Sequence, residues 1–148
     1  MITEWDKRWL HLASHVASWS KDRSRKVGAV VVEQWSKRLL SIGYNGFPRG
    51  VNDEIEERHE RPTKYVFTEH AERNAIYNAA AYGILLENAT LYVTLFPCCD
   101  CTRGIIQSGI KRVVTFQPDL NDVNNKQYHF EDASRMMWEA DVRLELIE

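Results

Sequence analysis

The stretch "TLYVTLFPCCDCTRGIIQSGIKRVVTF", residues 90–116, constrains the fold more than any other part of the chain. Two short β-branched and apolar runs, "TLYVTL" and "KRVVTF", flank "CTRGIIQSG", which reads as a short helix stopped by Gly109. Strand, helix and strand in that order imply parallel pairing through a right-handed crossover. Parallel strands need helices packed over them, so the chain is predicted to be α/β.

The flanking segments extend the same sheet. "KVGAVVVE" and "KRLLSIGYNG", joined by the polar "QWSKR", read as an antiparallel strand pair. At the C-terminus, "VRLELIE" alternates Val142, Leu144 and Leu146 with Arg143 and Glu145, the pattern of an edge strand with one buried face. A first helix is expected where Trp5, Trp9, Leu12, Val16 and Trp19 recur at helical spacing, and this stripe is expected to face the core. Further helices are expected over about residues 71–82 and 130–140. Residues 46–66, "GFPRGVNDEIEERHERPTKYV", mix glycine, proline and charge and read as an irregular surface excursion. A loop that long in a small domain is usually functional or mobile. The polar "QPDLNDVNNKQYH" leads to the last helix. No repeat or linker divides residues 1–148, which are expected to form one domain. Its mixed sheet would have about five strands with helices on both faces.

Composition narrows the function classes. With 148 residues, 44% of them hydrophobic and 27% charged, the chain can build a core without disulfides. The 19 basic and 21 acidic residues leave a formal net charge of -2, unlike a general nucleic-acid coat. Any bound anion must therefore meet a local cationic cluster. No apolar run approaches membrane-spanning length, and "MITEWDKRWLHL" lacks the layout of a signal peptide, so a cytoplasmic protein is expected. The three cysteines crowd into "PCCDC", which favours metal binding in a reducing compartment over disulfide stapling.

The chemistry concentrates in two short stretches. "FTEHAERNAIYNAA", residues 67–80, places His70 and Glu72 at the first turn of a helix, where both side chains can reach a site at its tip. Cys98 and Cys101 have the C-x-x-C spacing at which two thiolates bind one ion, again at a helix start. One His and two Cys leave a fourth position open, as a catalytic zinc requires. Taken separately, His70 could be a cap, and the cysteines a redox pair or half of a structural zinc site. Cys99 could replace Cys98 as a ligand, but it would share a turn with Cys101 and is expected to be a bystander.

Together, "HAE" and "PCCDC" carry the H-x-E and P-C-x-x-C pattern of the zinc deaminases. With "SKDRSRKVGAVVV", "GYNGFPRGVND" and "GIKRVV" in the same order, the chain resembles the deoxycytidylate (dCMP) deaminases of the cytidine deaminase-like superfamily over nearly its whole length. The resemblance implies a three-layer α/β/α fold and one zinc held by His70, Cys98 and Cys101. Glu72 would be the catalytic proton carrier in hydrolysis of dCMP to dUMP and ammonia. It further suggests substrate contacts from Asn45, to a sugar hydroxyl, and from Ala71. "SKDRSRK" with Arg49 supplies local positive charge that would serve the phosphate, with Ser20, Lys21 and Arg23 as the candidate contacts. That stretch could equally be a solvated basic run.

Regulation enters by the same resemblance. Many dCMP deaminases are homohexamers, activated by dCTP with magnesium and inhibited by dTTP at a separate site. The corresponding region here is Gly43, Tyr44, Asn45, Gly46, Arg49 and Gly50, with Asp53 as a candidate for triphosphate-bound magnesium. Alternatives remain in the same chemistry, acting on a nucleic-acid base or on dCTP, and in a non-catalytic zinc module. The composition and implied pathway fit a bacterial or phage enzyme working in a cytoplasm.

Overall fold

The computed structural model describes residues 1–148, the side chain of Asn124 excepted. Five strands form one mixed sheet: β1 (Gly28–Val32), β2 (Leu39–Tyr44), β3 (Thr90–Val93), β4 (Arg112–Phe116) and β5 (Arg143–Ile147). Their spatial order is β2-β1-β3-β4-β5. β1 pairs antiparallel with both β2 and β3, whereas β3–β4 and β4–β5 are parallel. The antiparallel pair and the parallel unit both stand where the sequence predicts them.

The period-two alternation of β1 and β3 divides the core into two layers. Val30, Val32, Tyr92 and Val114 face α1 (Glu4–Ala17), while Ala29, Val31, Leu91, Val93 and Val113 face the other side. That second face is covered by α3 (Ala71–Ala81), α4 (Cys99–Gln107) and α5 (Phe130–Glu139). The result is the expected α/β/α layering, with one helix against three. Among the described residues no helix is long and apolar enough to cross a membrane.

α1 corrects one expectation. Thr3 opens it with a capping box: its hydroxyl accepts from the Asp6 N–H, and the Asp6 carboxylate accepts from the Thr3 N–H. The face it buries is Asp6, Leu10, Ala13, Val16 and Ala17. Of the aromatic stripe, Trp9 and Leu12 are only partly buried, and Trp5 and Trp19 are about half exposed. The reason lies in how closely helix and sheet approach. A Cβ on Gly28 would lie 1.9 Å from the Ala13 carbonyl oxygen and 2.5 Å from the Ala17 nitrogen, so small residues must line that contact.

α3 lies equally close to β2. Ala71, Ala75 and Ala79 face the sheet at four-residue intervals, and the Ser41 hydroxyl donates to the Ala75 carbonyl at 2.7 Å. At the other edge, Leu144 packs into the core as expected, but Leu146 is 38% exposed. The excursion over residues 46–66 is mostly irregular and includes a 3-10 turn at Glu56–His59. It ends in the one-turn helix α2 (Lys64–Phe67). The second polar loop holds a 3-10 helix over Val123–Tyr128.

Candidate active site

Two helix N-termini meet where the sheet and α3 converge. His70 is the N-cap residue of α3 and keeps an extended backbone, φ -80° and ψ 153°. Its N–H donates to the Glu69 carboxylate, which Arg73 also grips at 2.6 Å. Glu69 itself is tied across the backbone to Gly46 in both directions. Cys98 is the N-cap residue of α4, just beyond β3, and its sulfur accepts from the Cys101 N–H. All three potential ligands thus stand at helix starts, His70 and Cys98 as N-caps and Cys101 in the first turn of α4.

The cysteine sulfurs surround one ring nitrogen. His70 Nδ1 lies 3.5 Å from Cys98 Sγ and 3.4 Å from Cys101 Sγ, and all three donor atoms fall within 4.8 Å of one another. A tetrahedral zinc with sulfur at about 2.3 Å and nitrogen at about 2.0 Å has sulfur–nitrogen edges of roughly 3.5 Å. The donor set therefore fits zinc in chemistry and in spacing. Hydrogen bonds from Cys101 and His70 outweigh burial and hold the Cys98 thiol well below its ordinary value. Cys99 lies outside the group: its thiol donates to the His129 carbonyl at 3.4 Å.

Glu72, the second residue of α3, is 4% exposed and lines the same pocket as His70 and Cys98. Burial pushes its carboxyl above the ordinary range. The apolar part of the wall is Val27, Ala71, Leu95 and Phe96. Tyr128 closes one side, meeting the His70 ring edge-on at 6.2 Å and stacking on Phe130.

Asn45 also lines this pocket. Its Oδ1 accepts from the Val27 N–H and its Nδ2 donates to the Arg25 carbonyl, both at 2.8 Å, so the side chain pins the loop before β1. The three residues expected to serve the phosphate lie elsewhere. Ser20 is buried and donates to the Asn45 carbonyl, while Lys21 pairs with Asp53 at 2.7 Å and Arg23 pairs with Glu56. Lys21 and Arg23 line a second, adjacent pocket with Trp19, Tyr44, Gly46, Phe47, Asp53 and His59.

The remaining residues of the expected regulatory region divide. Tyr44, Asn45, Gly46 and Asp53 reach that second pocket. Arg49 instead bonds Asn78 in a separate groove, and Gly50 takes a positive φ of 79° with open space around it. Gly43 serves packing, since a Cβ there would lie 2.3 Å from the Ala71 carbonyl oxygen. Sequence reading missed the polar wall of the first pocket: Asp22, Arg25, Arg61 and Lys64. Arg25 stood within the quoted basic stretch. Arg61 and Lys64 carried no signal, because they belong to the loop read as surface.

The profile of the cytidine and deoxycytidylate deaminase zinc-binding region matches residues 3–117. The uncharacterized deaminase of the luxG 3′ region of Aliivibrio fischeri is 46% identical over 113 residues, covering 76% of this chain and 73% of that one. Human deoxycytidylate deaminase is 36% identical over 124 residues, covering 80% of this chain and 68% of its own length. Among solved structures, the dCMP deaminase of cyanophage S-TIM5 in complex with dCMP and dUMP superimposes with a TM-score of 0.79. It shares 27% identity over 99% of both chains.

Proposed function

The chain belongs to the cytidine and deoxycytidylate deaminase family and is a zinc hydrolase, and from that premise we propose that its substrate is dCMP, converted to dUMP and ammonia. The observation that carries the reading is the placement of the buried Glu72 carboxyl in one pocket with the His70 and Cys98 donors, in a wall that also holds Asp22, Arg25, Arg61 and Lys64. The likeness to structures and relatives described as dCMP deaminases supports the choice of substrate.

Zinc, when held by His70, Cys98 and Cys101, supplies a lowered pKa for water and a centre of positive charge. Glu72 does the proton work. It takes a proton from the attacking water and delivers it to the ring nitrogen beside the amine-bearing carbon. The oxygen of that water bonds to the amine-bearing carbon. Glu72 then carries its second proton to the amine, so the carbon–nitrogen bond breaks, ammonia leaves and the carbon keeps the oxygen as a carbonyl. Val27, Leu95 and Phe96 offer the base an apolar slot that excludes bulk water. Asn45 spends one amide N–H on Arg25 and keeps the other for a sugar hydroxyl.

The reading extends to regulation and assembly. In the second pocket, Trp19, Tyr44 and Phe47 offer ring faces beside Lys21 and Arg23, the chemistry a nucleotide effector needs. dCTP as activator and dTTP as inhibitor, acting on a homohexamer, complete the proposal. Magnesium would have to draw Asp53 from its ion pair with Lys21.

Loss of cytosine absorbance, followed with dCMP, deoxycytidine, dCTP and single-stranded DNA in turn, tests the reading. Turnover of dCMP well above the others, raised by dCTP with magnesium and lowered by dTTP, is the expected result. Preferential deamination of single-stranded DNA, or of dCTP, would replace the substrate assignment.

A further inference from the structure

The charges lining the first pocket are not equivalent. Lys64 is neutralised by Asp22 at 2.9 Å and also bonds the Ser24 hydroxyl at 2.7 Å. Arg25 is held by Asp122 at 2.8 Å and by the Asn125 side chain at 2.5 Å. Arg61 also lines the pocket, yet among the described residues it makes no hydrogen bond or ion pair. It is exposed at the pocket mouth, whereas Cys98 and Glu72 are buried.

We propose that Arg61 is a specificity-determining residue that binds the 5′-phosphate of the substrate and so selects a nucleoside monophosphate over the nucleoside. This rests on the dCMP reading above. A nucleotide whose base reaches Glu72 has its sugar and phosphate strung outward in line, which brings the phosphate to the mouth. A guanidinium there forms paired, charge-assisted bonds to phosphate oxygens without first giving up a carboxylate. Lys64 and Arg25 would each have to leave a partner to do the same.

The placement of Arg61 is itself built. Its segment is braced by the Lys64 N–H on the Glu60 carbonyl at 2.8 Å and the Tyr65 N–H on the Pro62 carbonyl at 3.1 Å. Three residues on, the buried Lys64–Asp22 pair fastens the segment to the loop that carries Arg25. Arg61 thus hangs from a fixed point.

The test measures kcat/KM for dCMP and for deoxycytidine, and calorimetric affinity for dUMP, in the zinc-loaded wild type and in Arg61→Met and Arg61→Lys. In the wild type dCMP is preferred. Arg61→Met is expected to cut the dCMP-to-deoxycytidine ratio by roughly 10- to 100-fold, mainly through KM, as loss of a hydrogen bond to a charged group does. Affinity for dUMP falls in parallel, and Arg61→Lys restores part of both. A wild type that prefers dCMP and an Arg61→Met variant that keeps the preference would overturn the Arg61 assignment alone. Equal losses on both substrates would also overturn it, by making the role structural. A wild type with no preference for dCMP would overturn the substrate reading and this assignment together.

Discussion

Lys64 Nζ and Asp22 Oδ2 meet at 2.9 Å in the pocket wall, with only 10% and 9% of their side chains exposed. Replacing one partner would leave the other charge buried and unpaired. Asp22→Asn is therefore expected to destabilise the fold by about 3–5 kcal/mol in urea titrations near neutral pH.

The same pair predicts a pH dependence. Burial alone would raise the Asp22 carboxyl, but the Arg25 N–H, the Lys64 ammonium and the Ser24 N–H outweigh it and hold the carboxyl below its ordinary 3.8. A depressed carboxylate contributes stability above its unfolded pKa and loses it as pH falls through the folded one. The stability gap between wild type and Asp22→Asn should thus narrow below about pH 4. A gap that stays constant from pH 6 to pH 3 would show that the carboxylate is not what the wall depends on.

Gly43 and Gly46 make a paired prediction. A Cβ at Gly43 would press within 2.3 Å of the Ala71 carbonyl oxygen and 2.4 Å of the Ala75 nitrogen, on the helix that carries Glu72 and is capped by His70. At Gly46 nothing lies within 4 Å. Gly43→Ala is expected to lower the zinc-to-protein ratio and turnover, and Gly46→Ala to leave the zinc ratio and thermal midpoint near wild type. Metal analysis of the two purified variants decides it.

Arg112 ties three elements to α1. Its guanidinium donates to Asp6 at 2.7 and 3.1 Å and also to Glu145, while Tyr92 donates to Asp6 at 2.8 Å. Arg112→Met would strand the buried Asp6 carboxylate, and a loss of about 3–5 kcal/mol is expected in denaturant titration. Because this network lies on the α1 face of the sheet, zinc content of the folded fraction should not change.

The parts legible in the sequence were those fixed by local spacing. The strands of "TLYVTL" and "KRVVTF" and the helix between them follow from periodicity, and the grouping of His70, Cys98 and Cys101 follows from motifs at helix starts. The α1 stripe misled because the tryptophans suggested a bulky buried face. The sheet instead approaches closely at Gly28, where only Ala13 and Ala17 fit, and the buried face is completed by Leu10 and Val16. The pocket wall was out of reach for a different reason. Which cation stays free depends on pairings across long sequence separations, such as Asp22 with Lys64 and Lys21 with Asp53, and no local pattern records them.

The central claim, that Glu72 moves protons for dCMP hydrolysis beside a zinc held by three residues, is tested most directly in one paired measurement. Zinc content and dCMP turnover are determined on the same preparations of wild type and Glu72→Gln. The account predicts one zinc per chain in both proteins, with turnover in the variant reduced by about 10²- to 10⁴-fold, the usual range for a general acid–base group. A zinc-replete Glu72→Gln enzyme working within about twofold of wild type would contradict it, far outside the loss expected of such a group.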